Sequence, residues 1–205
     1  MIKNESFFLK ASLVIILIIN SIAGFSQNSV ELTASEKEGI LLMREEEKLA
    51  HDVYSFFADK YDIPIFRNIK QSEVKHQKSI IWLMEKYNIT DLAYKEQGKF
   101  HNKELQKLYD KLTSQGNTLV EALKIGAYIE DLDIFDLKKL IKETKNEDII
   151  QVYNGLLWGS ENHFRAFTRN LSGRGVEYEP EFMTKSEMSA ILNKNSQGNK
   201  INNKR

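Results

Sequence analysis

Glu73-Val74-Lys75-His76 sets a carboxylate and an imidazole three residues apart, a spacing that turns both toward one point when the segment is helical. Such a fork chelates a metal ion. Three further segments carry ligand-type side chains at equivalent places: Glu47, the pair Glu130 and Asp133, and His163. Each lies in line with apolar residues at spacings of three and four, where a helix is expected to face a dry seam. A carboxylate in such a seam is costly unless it is paired or bound to a metal. Four helices that repeat the same violation call for a shared partner, and two metal ions held by carboxylates and imidazoles supply one. Hard oxygen ligands with imidazole suit iron or manganese, and the same set accepts zinc.

The elements that must position these groups are legible from caps and periodicity. Thr33-Ala34-Ser35-Glu36 is a capping box opening a helix to about Tyr61, with the stripe Ile40, Met43, Glu47, Ala50, Tyr54, Phe57. Asp62-Ile63-Pro64 breaks it. A second helix is predicted from about Asn68 to Tyr87, with Ile69, Glu73, His76, Ile80 and Leu83 in line, antiparallel to the first. A long connection follows, holding a short helix over about 103–114 capped by Asn102. Thr118-Leu119-Val120-Glu121 is a second capping box, starting a third long helix with the stripe Ala122, Gly126, Ile129, Glu130, Asp133, Leu137. Asn146 opens the fourth, with Ile149, Leu156, Ser160, His163, Phe167 and Leu171 in line, and Gly173 ends it. Two helix pairs joined by a long crossover predict an all-α four-helix bundle over 33–173. A short helix capped at Thr184 runs through Leu192, and 193–205, rich in Asn, Lys, Ser and Gly, read as a disordered tail.

Other polar residues take plainer readings. Glu45 and Glu46 belong to a solvated acidic face, Asp131 and Asp136 fall off the third stripe and are expected in solvent, and Glu161 faces about a hundred degrees away from His163. His51 lies on an outer face and His101 opens the connection. Trp82 and Trp158 are expected in the core, and Tyr54 as a core tyrosine with a bonded hydroxyl near Glu47. His163 is also open to a lone core role, bonded to a backbone carbonyl. Its partner three residues back is Ser160, where a dinuclear bundle carries a second Glu-x-x-His.

Composition narrows the classes. Lys plus Arg and Asp plus Glu both number 29 in 205 residues, so nothing in the charge calls for nucleic acid. The absence of cysteine excludes disulfides, cysteine-ligated iron–sulfur centres and thiol nucleophiles. Lys3 and Lys10 flank the apolar run Ala11–Ile19, and small residues stand at Gly24 and Ser26. This describes a signal peptide over 1–26, with a mature protein in the periplasm or outside the cell and no membrane anchor after cleavage. The rival reading is an uncleaved anchor.

With these residues laid out, the chain resembles the ferritin-like superfamily, and within it a bacterial and archaeal branch catalogued as a domain of unknown function. The resemblance rests on 46–54, 68–76, 126–134 and 159–167, and covers roughly Thr33 to Gly173. Glu47, Ala50 and Tyr54 are also similar to the first-helix motif of rubrerythrins. The resemblance implies a metal site. In related families such sites reduce peroxide, oxidise ferrous iron or activate oxygen, which makes an oxidase- or peroxidase-type oxidoreductase the leading enzymatic expectation. Ser160 departs from the pattern, and Asp133 is the carboxylate available to replace the missing one. Any catalytic cycle then draws electrons from an external donor, and an oligomer is compatible with the reading. The competing functions are a non-enzymatic structural or binding bundle and a metal storage or delivery protein.

Overall fold

A computed structural model describes residues 31–202, with side chains through Lys194; the expected signal peptide lies outside the described residues. Six helices and no strand make up this region: α1 (Ala34–Tyr61), α2 (Pro64–Lys86), α3 (Lys103–Gln115), α4 (Leu119–Glu143), α5 (Glu147–Ser172) and α6 (Lys185–Asn202). No described helix is long and apolar enough to cross a membrane.

The local reasons are the ones written in the sequence. Thr33 with Glu36 and Thr118 with Glu121 form complete capping boxes, each satisfying orphan N–H donors in both directions. Asn102 and Asn146 accept from two N–H groups each at the starts of α3 and α5. Asp62 closes α1 in the left-handed conformation at φ 46°. Pro64 then serves as the first residue of α2 rather than as a breaker, so α2 starts one turn before the predicted Asn68. At the other end, α6 continues past Leu192 to Asn202, where a disordered tail was expected. Thr184 and Glu187 bond reciprocally across the first turn, and once that nucleus has formed each added residue costs little.

The four long helices run antiparallel to their neighbours. On α1 and α2, Arg44 bonds Gln77 and Phe57 packs on Phe66. On α4 and α5, Asp133 meets Ser160 and Gly126 meets Phe167. Tyr54 ties α1 to α4 through Glu130, and α2 meets α5 where His76 lies against Gly159 and Lys86 pairs with Asp148.

Apolar packing divides into two blocks. Tyr54, Phe57, Phe66, Phe164 and Phe167 centre one. Ile40, Met43, Ile80, Leu83, Leu137 and Ile149 centre the other. Between them, at the same height on all four helices, fall Glu47, Glu73 with His76, Glu130 with Asp133, and Ser160 with His163. The core is interrupted by a polar layer at mid-length.

The connection from α2 to α4 is held against α1. Glu45 accepts from the His101 and Asn102 N–H groups at 2.6 Å each. Asp52 accepts from Gly98 N–H at 2.9 Å, and Lys48 donates to the Glu96 carbonyl at 2.9 Å while lying 4.5 Å from the Phe100 ring centre. Past α5, the segment approaching α6 is pinned by Asp131, which accepts from Tyr178 and from three successive N–H groups, those of Glu181, Phe182 and Met183. Several expectations of solvation are corrected by these contacts. Glu45, Glu46 and Asp131 are buried and Asp136 is half-buried, because α1 and α4 are covered on more than the one face that a single stripe reveals. Glu161 is buried too, bonded by Lys194 of α6 at 2.7 Å. Trp82 and Trp158 are corrected the other way. They are 47% and 69% exposed, Trp82 one residue and Trp158 two residues off the stripe, on the outward side of α2 and α5.

Candidate metal centre

The residue types of the polar layer would be unstable as free charges, so their arrangement is the informative quantity. All six sequence-predicted ligands lie in it. Glu47, Glu73, Glu130, Asp133 and His163 are buried, and the His76 side chain is 12% exposed. Glu73, on α2, stands in the middle. Its Oε2 is 2.9 Å from His76 Nδ1 and its Oε1 is 2.9 Å from His163 Nδ1. Glu47 Oε2 lies 3.1 Å from His76 Nδ1, and Glu130 Oε1 lies 3.5 Å from His163 Nδ1. Two half-sites result, Glu47–Glu73–His76 and Glu130–Glu73–His163, with one carboxylate common to both.

Ligand atoms of Glu73, His76 and His163 all fall within 4.8 Å of one another. Two donors each about 2.1 Å from one ion and roughly at right angles stand about 3.0 Å apart, close to the Glu47–His76, Glu73–His76 and Glu73–His163 separations, with Glu130–His163 wider. Hydrogen bonding does not account for all of it. Glu73 Oε1 and His163 Nδ1 are buried 2.9 Å apart, yet neither has a hydrogen-bond partner, and Glu47 Oε1 is likewise without one. Buried polar atoms left unsatisfied in this way are rare and ask for a ligand.

The remaining groups orient the set. Tyr54 donates to Glu130 Oε1 at 2.5 Å, fixing that carboxylate from the α1 side. Ser160 donates to Asp133 Oδ2 and also to the Leu156 carbonyl at 3.0 Å, so Asp133 reaches across to the position on α5 where a second Glu-x-x-His would have placed its carboxylate. The two imidazoles stack with ring centres 5.3 Å apart and planes inclined by 23°. Their approach depends on Gly159, since a Cβ there would stand 2.3 Å from His76 Nε2.

Electrostatics follow from the same contacts. Burial would depress His76, but Glu47 and Glu73 push it up to about 12; His163, with Glu130 and Glu73, rises to about 10. Burial raises Glu47 to about 8 against the pull of His76, whereas Glu73, between two imidazoles, is held down at about 2. Asp133 is pushed well up by burial and by the neighbouring Glu47 and Glu130 charges. The layer thus holds more acids than its two imidazoles can pair as charges, and burial shifts Glu47, Glu130 and Asp133 toward their neutral forms.

Residues 36–195 match the family described as Uncharacterized protein domain (DUF2202). The chain belongs to the DUF2202 family. It is 46% identical over 168 residues to Uncharacterized protein MJ0754 of Methanocaldococcus jannaschii, a span covering 81% of this chain and 91% of that protein. The crystal structure of hypothetical protein MJ0754 from Methanococcus jannaschii is similar with a TM-score of 0.77 at 47% identity, covering 78% of this chain and 93% of the other. The DUF2202 match begins at Glu36 in the first capping box and takes in every residue of the polar layer.

His51 and His101 stay outside the centre, as expected: His51 bonds Asp52 and His101 is exposed. Sequence reasoning missed Glu46, which lines the same small cavity as Glu47, Glu73, Glu130 and Asp133. Its position directly before Glu47 was the available signal, hidden by the assumption that α1 buries one face.

Proposed function

We propose that the protein is an exported metal-binding protein with a ferritin-like four-helix bundle, whose mid-length polar layer holds two iron or manganese ions. The observation that carries this reading is Glu73, which offers one oxygen to each of two imidazoles. In that role Glu73 bridges, Glu47 and His76 complete one side, and Glu130 and His163 complete the other. Asp133, held by Ser160, supplies the carboxylate that the fourth helix lacks.

Two adjacent reduced ions, when bound, supply one electron each to oxygen or peroxide. The chain's own residues do the rest. Tyr54 holds Glu130 in place, and the two apolar blocks close the two ends of the layer. No cysteine-bound electron carrier is present, so electrons for a repeated cycle come from an external donor. Export is supported by the basic, apolar and small-residue pattern of 1–26, and mass spectrometry of the native protein should find a mature start near Gln27.

The chemical test is anaerobic loading with ferrous iron followed by titration with hydrogen peroxide. Consumption of two protein-bound ferrous ions per peroxide, lost in Glu73→Ala, supports the proposal. Bound iron that is inert to both oxygen and peroxide would instead favour storage or delivery.

A further inference from the structure

Two sides of the polar layer differ in charge. The open groove between α2 and α5 reaches His76, but it is lined by Lys75, Lys78 and Lys86 and repels cations. On the α1–α4 side the approach is acidic. Asp136 is half-buried near the surface, next to the exposed Phe135. Glu46 comes next, close enough to Asp136 and Asp133 to feel both charges. Asp133 in turn feels Glu47 and Glu130.

Glu46 is the anomaly in this series. It is only 7% exposed, and its buried Oε2 has no hydrogen-bond partner. Among the described residues, no Lys, Arg or His lies within salt-bridge distance of Glu46, Asp133 or Asp136. The unpaired oxygen belongs to a residue lining the cavity shared with Glu47, Glu73, Glu130 and Asp133. Lys139 acts on Asp136 and His76 on Asp133 only from beyond salt-bridge distance, and three acids kept together without a direct ion pair are expensive for a role in stability alone.

We propose that Glu46, Asp133 and Asp136 form a transit site that takes a divalent cation from solvent between α1 and α4 and hands it to the metal centre. The inference rests on the metal-binding reading above. The transit acids do not converge as Glu73, His76 and His163 do, whose ligand atoms all fall within 4.8 Å of one another, so they hold the ion partly through its own water. Weak holding is what passage requires: favourable enough to enter, loose enough to leave. Hard divalent ions, manganous or ferrous rather than copper, fit oxygen donors without imidazole.

The experiment loads metal-free full-length protein with cobalt(II) and follows filling by stopped-flow visible absorbance, with final occupancy from equilibrium dialysis. Glu46→Gln with Asp136→Asn is expected to slow filling about tenfold at subsaturating metal, while final occupancy stays that of the wild type. Asp136→Glu should restore the rate relative to Asp136→Asn. Lys75→Gln with Lys78→Gln, on the other approach, should not slow it. Asp136→Asn alone, on a half-buried side chain, carries the test where the double variant does not fold. Unchanged filling in these acid variants, with wild-type protein that does bind cobalt, overturns the transit role and leaves the centre standing. Loss of final occupancy in the double variant also overturns it, making these acids part of the centre itself. Wild-type protein that binds no cobalt overturns both proposals.

Discussion

Buried acids occur in two settings in this molecule. Asp131 and Asp52 sit in one: every charge is answered. Asp131 collects three backbone N–H groups and a tyrosine hydroxyl, and Asp52 collects Lys48, His51 and the Gly98 N–H. Glu46, Glu47 and Glu73 sit in the other, each with a buried oxygen that accepts no hydrogen bond, although that of Glu73 lies against the His163 ring. Both settings are equally deep, so depth does not separate structure from function. Satisfaction does. An acid with a full set of donors ties segments together, and an acid left wanting is set up for something the chain does not itself contain.

The contrast can be broken most forcefully at Asp131. Asp131→Ala strands four donors and should release the segment joining α5 to α6, destabilising the fold by about 4 kcal/mol, since each stranded buried donor costs roughly 1–3 kcal/mol and water recovers part. Chemical denaturation measures it, and the metal content of the folded fraction should not change. Asp52→Asn should cost about 3 kcal/mol at neutral pH by leaving Lys48 buried without its partner. Burial raises the Asp52 carboxyl, but His51, Lys48 and the Gly98 N–H outweigh it and hold the group below its ordinary range. A depressed folded value means that the stabilisation is complete above the unfolded pKa and disappears as pH falls through the folded one. Wild-type and Asp52→Asn stability curves should therefore converge in acid.

In the unsatisfied layer the signs reverse. Gly159→Ala replaces a poor helix former with a good one, worth about 1 kcal/mol, yet sets a methyl against His76 Nε2. Overall stability should change little while metal affinity falls about 10–100-fold, the range for residues that orient a ligand from behind. The smallest expected effect on folding is that of Glu47→Gln. Replacing a buried carboxyl that burial already shifts toward its neutral form, with little change in shape, should leave the metal-free melting temperature unchanged or slightly raised, although one ion is lost. A large destabilisation of the metal-free form would place Glu47 with Asp131 and Asp52 after all.

The division between the two settings was only half legible in the sequence. Thr33 with Glu36, Thr118 with Glu121, Asn102 and Asn146 announced four helix starts, because a cap is a local contact between near neighbours. Glu47, Glu73, His76, Glu130, Asp133 and His163 were legible because each breaks an apolar stripe at the same height. Glu45, Glu46, Asp131 and Glu161 were not. Their burial depends on segments distant in sequence: the 96–102 connection, α4, the 178–183 segment and Lys194. Periodicity within one helix carries no record of what covers its other faces. Trp82 and Trp158 failed for the complementary reason, since a large apolar side chain says nothing about which side of a helix is left open.

Metal content decides the central claim. Protein purified from its native compartment, with its metals quantified by mass spectrometry alongside Glu73→Ala, should carry two iron or manganese ions per chain. The Glu73→Ala variant should lose at least one of them while remaining folded by circular dichroism. A wild-type protein that carries no metal, and takes up none on anaerobic incubation with ferrous or manganous ions, would contradict the account and leave the polar layer as an internal ion-pair network.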